Sequence, residues 1–408
     1  MGTPERREWV NWSESLRFTP GQIAEPRSED EVAELVRDCA QQGRVVRPVG
    51  KGHSSMPLVQ TDDVLVDLHR LSGVASVDKD RLEAVIHGGS SLIEVGDALH
   101  EHGLALENYG DVDYQALSGA IGTGTHGTGI RLGNFSSNLL GFRLVTGDGE
   151  VREVGPDDDD GLRAGRVALG ALGIFTLLRL RVVPALRLRR REWCVHIEDC
   201  LDHLDALVDQ HRNFDFYWHP RREEAQLRTL NEPDQEPLDL LDQLGGCDPR
   251  NLRKDQQDWS RVVQPADRGM KFDEIEYALP IAAFRECFAE VRDRVKERHR
   301  QNVGWRVLCR SVAADDGYLS PFSGRDSMTI ALLQNNTLPY QEYFDDMEPI
   351  LVAHGGRPHF GKKHSAGAEQ LRRALPDYDA FRHTRRRFDP HGTFLNDHLR
   401  HLLDEEAA

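Results

Sequence analysis

Apolar residues recur in this chain with two periods, and the two alternate along it. Val32, Leu35, Val36 and Cys39 fall at helical spacing. Ser28-Glu29-Asp30-Glu31 ahead of them supplies an N-cap and an acidic first turn, and Gly43 a stop. Residues 44–49 then read as a strand, 64–68 as a second, and 81–87 alternate until Gly88-Gly89. Helical spacing returns over 90–102 through Leu92, Val95 and Leu99, ending at Gly103. Helices and short strands intermixed in this way predict an α+β or α/β class.

Further on, 139–146 and 150–154 bracket Gly147-Asp148-Gly149, a hairpin signal. The acidic run 157–160 reads as a solvated loop or a helix start, because a calcium loop needs alternating ligands and a glutamate at its twelfth position. A strand over 175–183 is closed by Pro184, and the composition changes there. Strands are then expected at 214–218, 272–279, 307–312 and 327–333, and helices at 200–211, 280–298 and 339–354. The polar stretch 231–268 reads as a long surface excursion. The tail carries two helical stretches around Asp389-Pro390-His391-Gly392.

Two glycine-rich turns break these periods. One is Gly50-Lys51-Gly52-His53-Ser54, directly after a strand. The other runs from Ser118 and Gly119 through Gly122, Thr123, Gly124, His126 and Gly127 to Gly129. Glycines remove Cβ and let backbone N–H groups approach an anion or a ring edge. Gly122, Gly124 and Gly127 match the dinucleotide fingerprint, but Gly129 and Gly133 interrupt the helix it requires and the second strand is missing. The stretch 356–362 falls short of a phosphate loop, since position 363 is Lys and Pro358 removes an N–H. Among 18 histidines, only His53 and His126 lie inside the glycine-rich tips, and no spacing typical of metal ligands stands out. The aromatic run 215–220 fits a half-buried strand, or a wall for a flat ligand.

Charge narrows the partners. The net charge is −17, which argues against a nucleic-acid partner. Six scattered cysteines form no C-x-x-C pair, so neither a zinc ribbon nor a redox motif is signalled. Residues 1–12 are charged and lack the apolar core of a signal peptide, and no apolar run approaches the ~20 residues of a membrane span. A cytoplasmic enzyme or binding protein is the expectation.

The ordered set of these motifs resembles the vanillyl-alcohol-oxidase-type flavoproteins, and within them the aldonolactone oxidoreductases (gulonolactone and arabinonolactone oxidases) and the alditol oxidases. The matching points are Val49 to Ser54, Gly119 to Gly129, Leu169 to Ile174, Phe272 to Pro280, Arg357 to Lys362 and Phe388 to Asn396. The resemblance implies an α+β protein with three parts. A two-part FAD-binding domain spans 13–184. A cap with an antiparallel sheet spans 185–380, and a C-terminal segment, 381–408, packs back on the first domain. It implies that Gly50, Lys51, Gly52, His53 and Ser54, with Ser118, Gly119, Gly122, Thr123, Gly124, His126, Gly127 and Gly129, hold the FAD pyrophosphate and flank its ring system. Gly173 and Ile174 lie toward the adenosine, and Asn396 is a further cofactor residue. His53 is the expected covalent link to the flavin 8α-methyl carbon.

The implied reaction is oxidation of a hydroxyl on a sugar lactone or a polyol, with O2 or another electron acceptor and no metal. Arg310 and Lys362 are the implied cations at the reacting oxygen. In one respect the chain departs from the family: a glutamate commonly stands two residues before the arginine, and here that position is Leu308. This leaves the substrate and the proton acceptor open, with a neutral Lys362 and His359 as the two readings. A flavin- or carbohydrate-binding module that kept the fold and lost the chemistry is the non-catalytic alternative.

Overall fold

A computed structural model describes residues 7–266 and 269–405. The start of the stretch expected to lack a signal peptide, residues 1–6, lies outside the described residues, as do residues 267–268 of the expected excursion. The first helix is Glu29–Gln41, capped by the Ser28 side chain on the Glu31 N–H. Its apolar stripe buries Val32, Val36 and Cys39 against Val46, Val64 and Val66. Each fully buried valine is worth roughly 1.5–3 kcal/mol. The strands beneath form a parallel sheet in the order Gln22–Ala24, Val64–Asp67, Val46–Val49. The strand Val46–Val49 therefore ends at the first glycine turn, on a rigid base.

A second, antiparallel sheet has the order Val151–Val154, Leu139–Val145, Ile174–Arg181, Glu83–His87, Val74–Asp78. The helix Leu92–Glu101 packs nearby, opened by a capping box between Ser91 and Glu94. The tail returns to this half of the molecule. Phe394 is buried among Val32, Val36 and Ile174, and the Val46 N–H donates to the Thr393 carbonyl at 2.8 Å.

The third sheet is antiparallel with eight strands, in the order Leu252–Trp259, Arg187–His196, Glu224–Asn231, Asn213–His219, Val307–Val312, Ser327–Asn335, Phe272–Pro280, Arg357–Pro358. The protein is thus α+β. One row across this sheet runs Tyr217, Leu308, Ala331, Glu276. The row two positions on runs Asp215, Arg310, Thr329, Ala278, and it shares the same face because side chains alternate along a strand.

The surface excursion expected over 231–268 is corrected in part: Leu252–Trp259 is the edge strand of this sheet, paired to Arg187–His196. Its charged, half-exposed residues are those of an edge exposed to water, so no apolar alternation marks it. The helix expected at 200–211 is two short ones, Ile197–Asp202 and Leu204–Gln210. No helix among the described residues is long and apolar enough to cross a membrane.

Candidate active site

The two glycine-rich turns face one another across an extended cleft. Gly50, Lys51, Gly52, His53 and Ser54 line one side, and Ser118, Gly119, Gly122 and Thr123 the other. A Cβ on Gly50 would lie 2.6 Å from the Ala116 Cβ, so only glycine lets these walls approach. Gly52 has φ +69°, a conformation that side chains resist. Around the missing Cβ of Gly119 there is nothing within 4 Å. The far end of the cleft is walled by Leu169, Gly170 and Gly173. These open, backbone-lined walls fit an extended dinucleotide.

Buried Arg47 ties that end together. Its guanidinium donates to the carbonyls of Leu58 (2.8 Å), Leu169 (2.7 Å), Gly170 (2.9 Å) and Phe394. Burial pushes its pKa down to about 9, which leaves it a cation at neutral pH.

A second, polar cavity of about 630 Å³ adjoins the cleft, and His53, Ser54, Gln115 and Thr123 line both. The His53 ring packs between Trp12 at 5.0 Å and Tyr114 at 4.6 Å. Beyond it the large sheet supplies Glu274, Glu276, Leu308 and Arg310, and the loop after Arg357–Pro358 supplies His359 and Lys362. Arg310 Nη2 lies 2.7 Å from Asp111 Oδ1. Arg228 binds Asp111 at 2.8 Å and also pairs with Asp215, and the Tyr217 hydroxyl donates to Asp111 at 3.0 Å. Two buried guanidiniums are thus compensated by two buried carboxylates.

Lys362 is ion-paired with Glu274. His359 Nδ1 accepts the Gly361 N–H at 3.1 Å, and burial pushes its pKa down to about 4. The proton of the neutral ring therefore sits on Nε2, which makes that atom a donor and not a base. His126 Nδ1 lies 2.8 Å from the Gly127 carbonyl, and its Nε2 lies 3.1 Å from Glu276 Oε1. Burial alone would raise the Glu276 carboxyl, but His126, His359 and Arg310 overcome it and hold it well below the usual carboxylate range. His126, Glu276 and His359 bring one potential ligand atom each within 4.8 Å of one another. Arg310 and Lys362 line the same cavity and oppose a metal ion there, and His359 has already committed one lone pair.

Of the residues singled out in the sequence, Gly50 to Ser54, Ser118, Gly119, Gly122, Thr123 and Gly173 line the cleft. His126, Arg310, His359 and Lys362 come together in the polar cavity. Gly124, Gly127, Gly129, Ile174 and Asn396 line neither. Gly127 packs too closely on the Tyr109 carbonyl for a Cβ, and the Gly129 N–H donates to the Ser311 carbonyl at 2.8 Å. Ile174 is core. Asn396 caps the helix Asp397–Leu403, and its amide holds the carbonyls of Pro57 and Gln60, both at 2.8 Å. Arg47, Asp111 and Glu274 were not singled out. Only Glu274 left a signal, since Glu274 and Glu276 sit at strand spacing within a predicted strand.

Comparison with known proteins agrees with this geometry. Residues 178–247 and 249–402 match the D-arabinono-1,4-lactone oxidase family, and residues 20–155 match the FAD binding domain family. The L-gulono-1,4-lactone dehydrogenase of Mycobacterium tuberculosis is 35% identical over 97% of this chain and 99% of its own length. The L-gulonolactone oxidase of Mus musculus is 27% identical over 96% of this chain and 97% of its own. The alditol oxidase of a Streptomyces species is also 27% identical, over 97% of this chain and 99% of its own. Cholesterol oxidase from B. sterolicum superposes with a TM-score of 0.83 at 16% identity, over 98% of this chain and 97% of that one, and so shares the fold. On these grounds the chain belongs to the D-arabinono-1,4-lactone oxidase family of FAD-dependent oxidoreductases.

Proposed function

We propose that the protein oxidises a hydroxyl of a gulono- or arabinono-type sugar 1,4-lactone. Residues 13–184 would hold FAD, 185–380 would cover it, and 381–408 would pack back on the first part. One observation carries this reading: the glycine-lined cleft opens into a polar cavity at His53 and Ser54, so a cofactor in the first would present its reactive end in the second. The names of the relatives point to the substrate class. Bound FAD supplies the hydride acceptor. The shared position of His53 supports its role as a covalent tether.

The chain's own groups handle the hydroxyl. Arg310, held by Asp111, stabilises negative charge developing on the reacting oxygen. Glu274, paired with Lys362, takes the hydroxyl proton, and His359 donates a hydrogen bond from Nε2. Leu308 itself supplies no carboxylate, so contact with the remaining hydroxyls falls to Glu274 and Glu276 on the strand Phe272–Pro280. A polyol is the second reading, favoured by the full-length likeness to alditol oxidase. The acceptor is O2 or another oxidant. The six unbridged cysteines support a reducing cytoplasm. Anaerobic mixing of the holoenzyme with lactones and polyols tests the proposal. Bleaching of the flavin by an aldonolactone is expected, and an unchanged spectrum across both panels would overturn it.

A further inference from the structure

The large sheet carries another opening, a cleft of about 1600 Å³ that the chemistry above does not use. Among the described residues, Arg190, Arg221, Arg222, Arg253, Lys254 and Arg306 line it, against one carboxylate, Glu192. That carboxylate is already engaged by Arg190 at 2.5 Å, and the nearby Glu224 lies 3.8 Å from Arg222. In a protein of net charge −17 such a basic cleft stands out. Fields of this kind focus anions from solution while the rest of the surface repels them. Burial first, and then Arg190 and Arg228, draw the Lys254 pKa downward despite Glu192.

The cleft is separated from the polar cavity by an aromatic partition. Tyr217 and Trp305 form its inner wall, with the Arg306 guanidinium 4.0 Å over the Tyr217 ring. From Trp305 the rings step to Phe272 at 5.4 Å, from Phe272 to Trp12 at 5.3 Å, and from Trp12 to His53 at 5.0 Å. Phe272 and His53 both line the candidate active cavity. An anion in the cleft is therefore kept from the substrate's place, yet sits at the end of a continuous run of ring contacts leading to His53.

We propose that the basic cleft binds a small multivalent anion that serves as a one-electron acceptor. The inference rests on the oxidoreductase reading. As one CH–OH becomes C=O, it gives up two electrons and two protons. Two acceptor anions each take one electron and leave one unit more negative, and the protons pass to solvent. The acceptor is recognised by charge, and O2 needs no such site.

The test separates binding from turnover. Hexacyanocobaltate(III), a redox-inert trivalent anion, is titrated calorimetrically into the holoenzyme at low and at physiological ionic strength. Saturable binding that weakens with salt is expected, and about tenfold weaker binding in the triple variant Arg222→Gln/Arg253→Gln/Lys254→Gln. The same variant should lower the second-order rate with hexacyanoferrate(III) about tenfold. Anaerobic bleaching by substrate and turnover with a cationic phenazinium dye should be unchanged. Equal binding of the cobalt complex by both proteins, or an equal fall with both acceptors, would overturn the proposal. A failure of all substrates to bleach the flavin would sink the oxidoreductase reading instead, while the calorimetry still reports on the cleft.

Discussion

Arg310 on the large sheet and Asp111 on the loop facing it meet at 2.7 Å, and through Asp111 the same contact reaches Arg228 and Tyr217. The substitution Asp111→Asn leaves Arg310 and Arg228 to share Asp215 alone. Removing one partner from a buried ionic network costs about 3–5 kcal/mol. A fall in Tm is expected, together with a lower kcat/KM because Arg310 is no longer held. Asp111→Glu should recover part of both. An Asp111→Asn protein with wild-type melting and turnover would remove the assigned role.

Leu308 is buried with Tyr217, Phe272, Ala331 and Leu333. Leu308→Glu places a carboxylate where the resemblance seen in the sequence implies one, but it does so inside this apolar cluster. Burial of a carboxylate without a built partner is costly. The variant is expected to lose about 2–4 kcal/mol and to gain no turnover. Leu308→Met, close in volume, should cost less than about 1.5 kcal/mol. Thermal and urea melts of the pair decide this.

Local patterns made the two glycine turns, the first helix and the strands feeding them legible, because each is specified by neighbours in sequence. The joint between the halves was not. Arg228 and Asp111 are 117 positions apart, and neither has a local reason to be charged. Arg47 reads as an ordinary strand residue, and its four carbonyl partners come from three separate segments. The edge strand Leu252–Trp259 was hidden for the opposite reason, since its partner hides so little of it that polar residues are favoured. Asn396 is a helix cap in the structure, a role that sequence alone does not distinguish from that of a cofactor ligand.

Acid should destabilise the fold through buried histidines. Burial pushes His359 and His398 down to about 4 and His364 to about 3, below the ordinary 6.5. The unfolded chain therefore takes up these protons first as pH falls. Stability is whole above pH 6.5 and declines through the window toward 4. Neither ring nitrogen of His364 has a hydrogen-bond partner among the described residues. His364→Met should raise Tm more on the acid side of this window than at neutral pH. Parallel Tm–pH curves for the two proteins would contradict this.

The proposed tether predicts a simple extraction result. Acid precipitation of the wild-type holoenzyme should leave the yellow colour in the pellet. His53→Ala should release it to the supernatant or purify with little flavin. Colour in the wild-type supernatant would rule out the bond.

Arg47→Lys keeps the charge and loses the fork. An ammonium is a point donor with three protons, whereas the guanidinium reaches the carbonyls of Leu58, Leu169, Gly170 and Phe394 in different directions. Leu58, Leu169 and Gly170 also line the cleft, so the lost bonds loosen its far end and not only the core. Each hydrogen bond from a charged donor is worth about 1.5–3 kcal/mol, and the loss of even one or two should show clearly in Tm. The ratio of visible to protein absorbance should fall as well, because a loosened cleft holds less flavin. Arg47→Ala, which strands the carbonyls and opens a void, should be worse on both measures. If Arg47→Lys melts lower yet carries full flavin, Arg47 supports the fold without shaping the cleft. If flavin content falls with Tm unchanged, its work is confined to the cofactor.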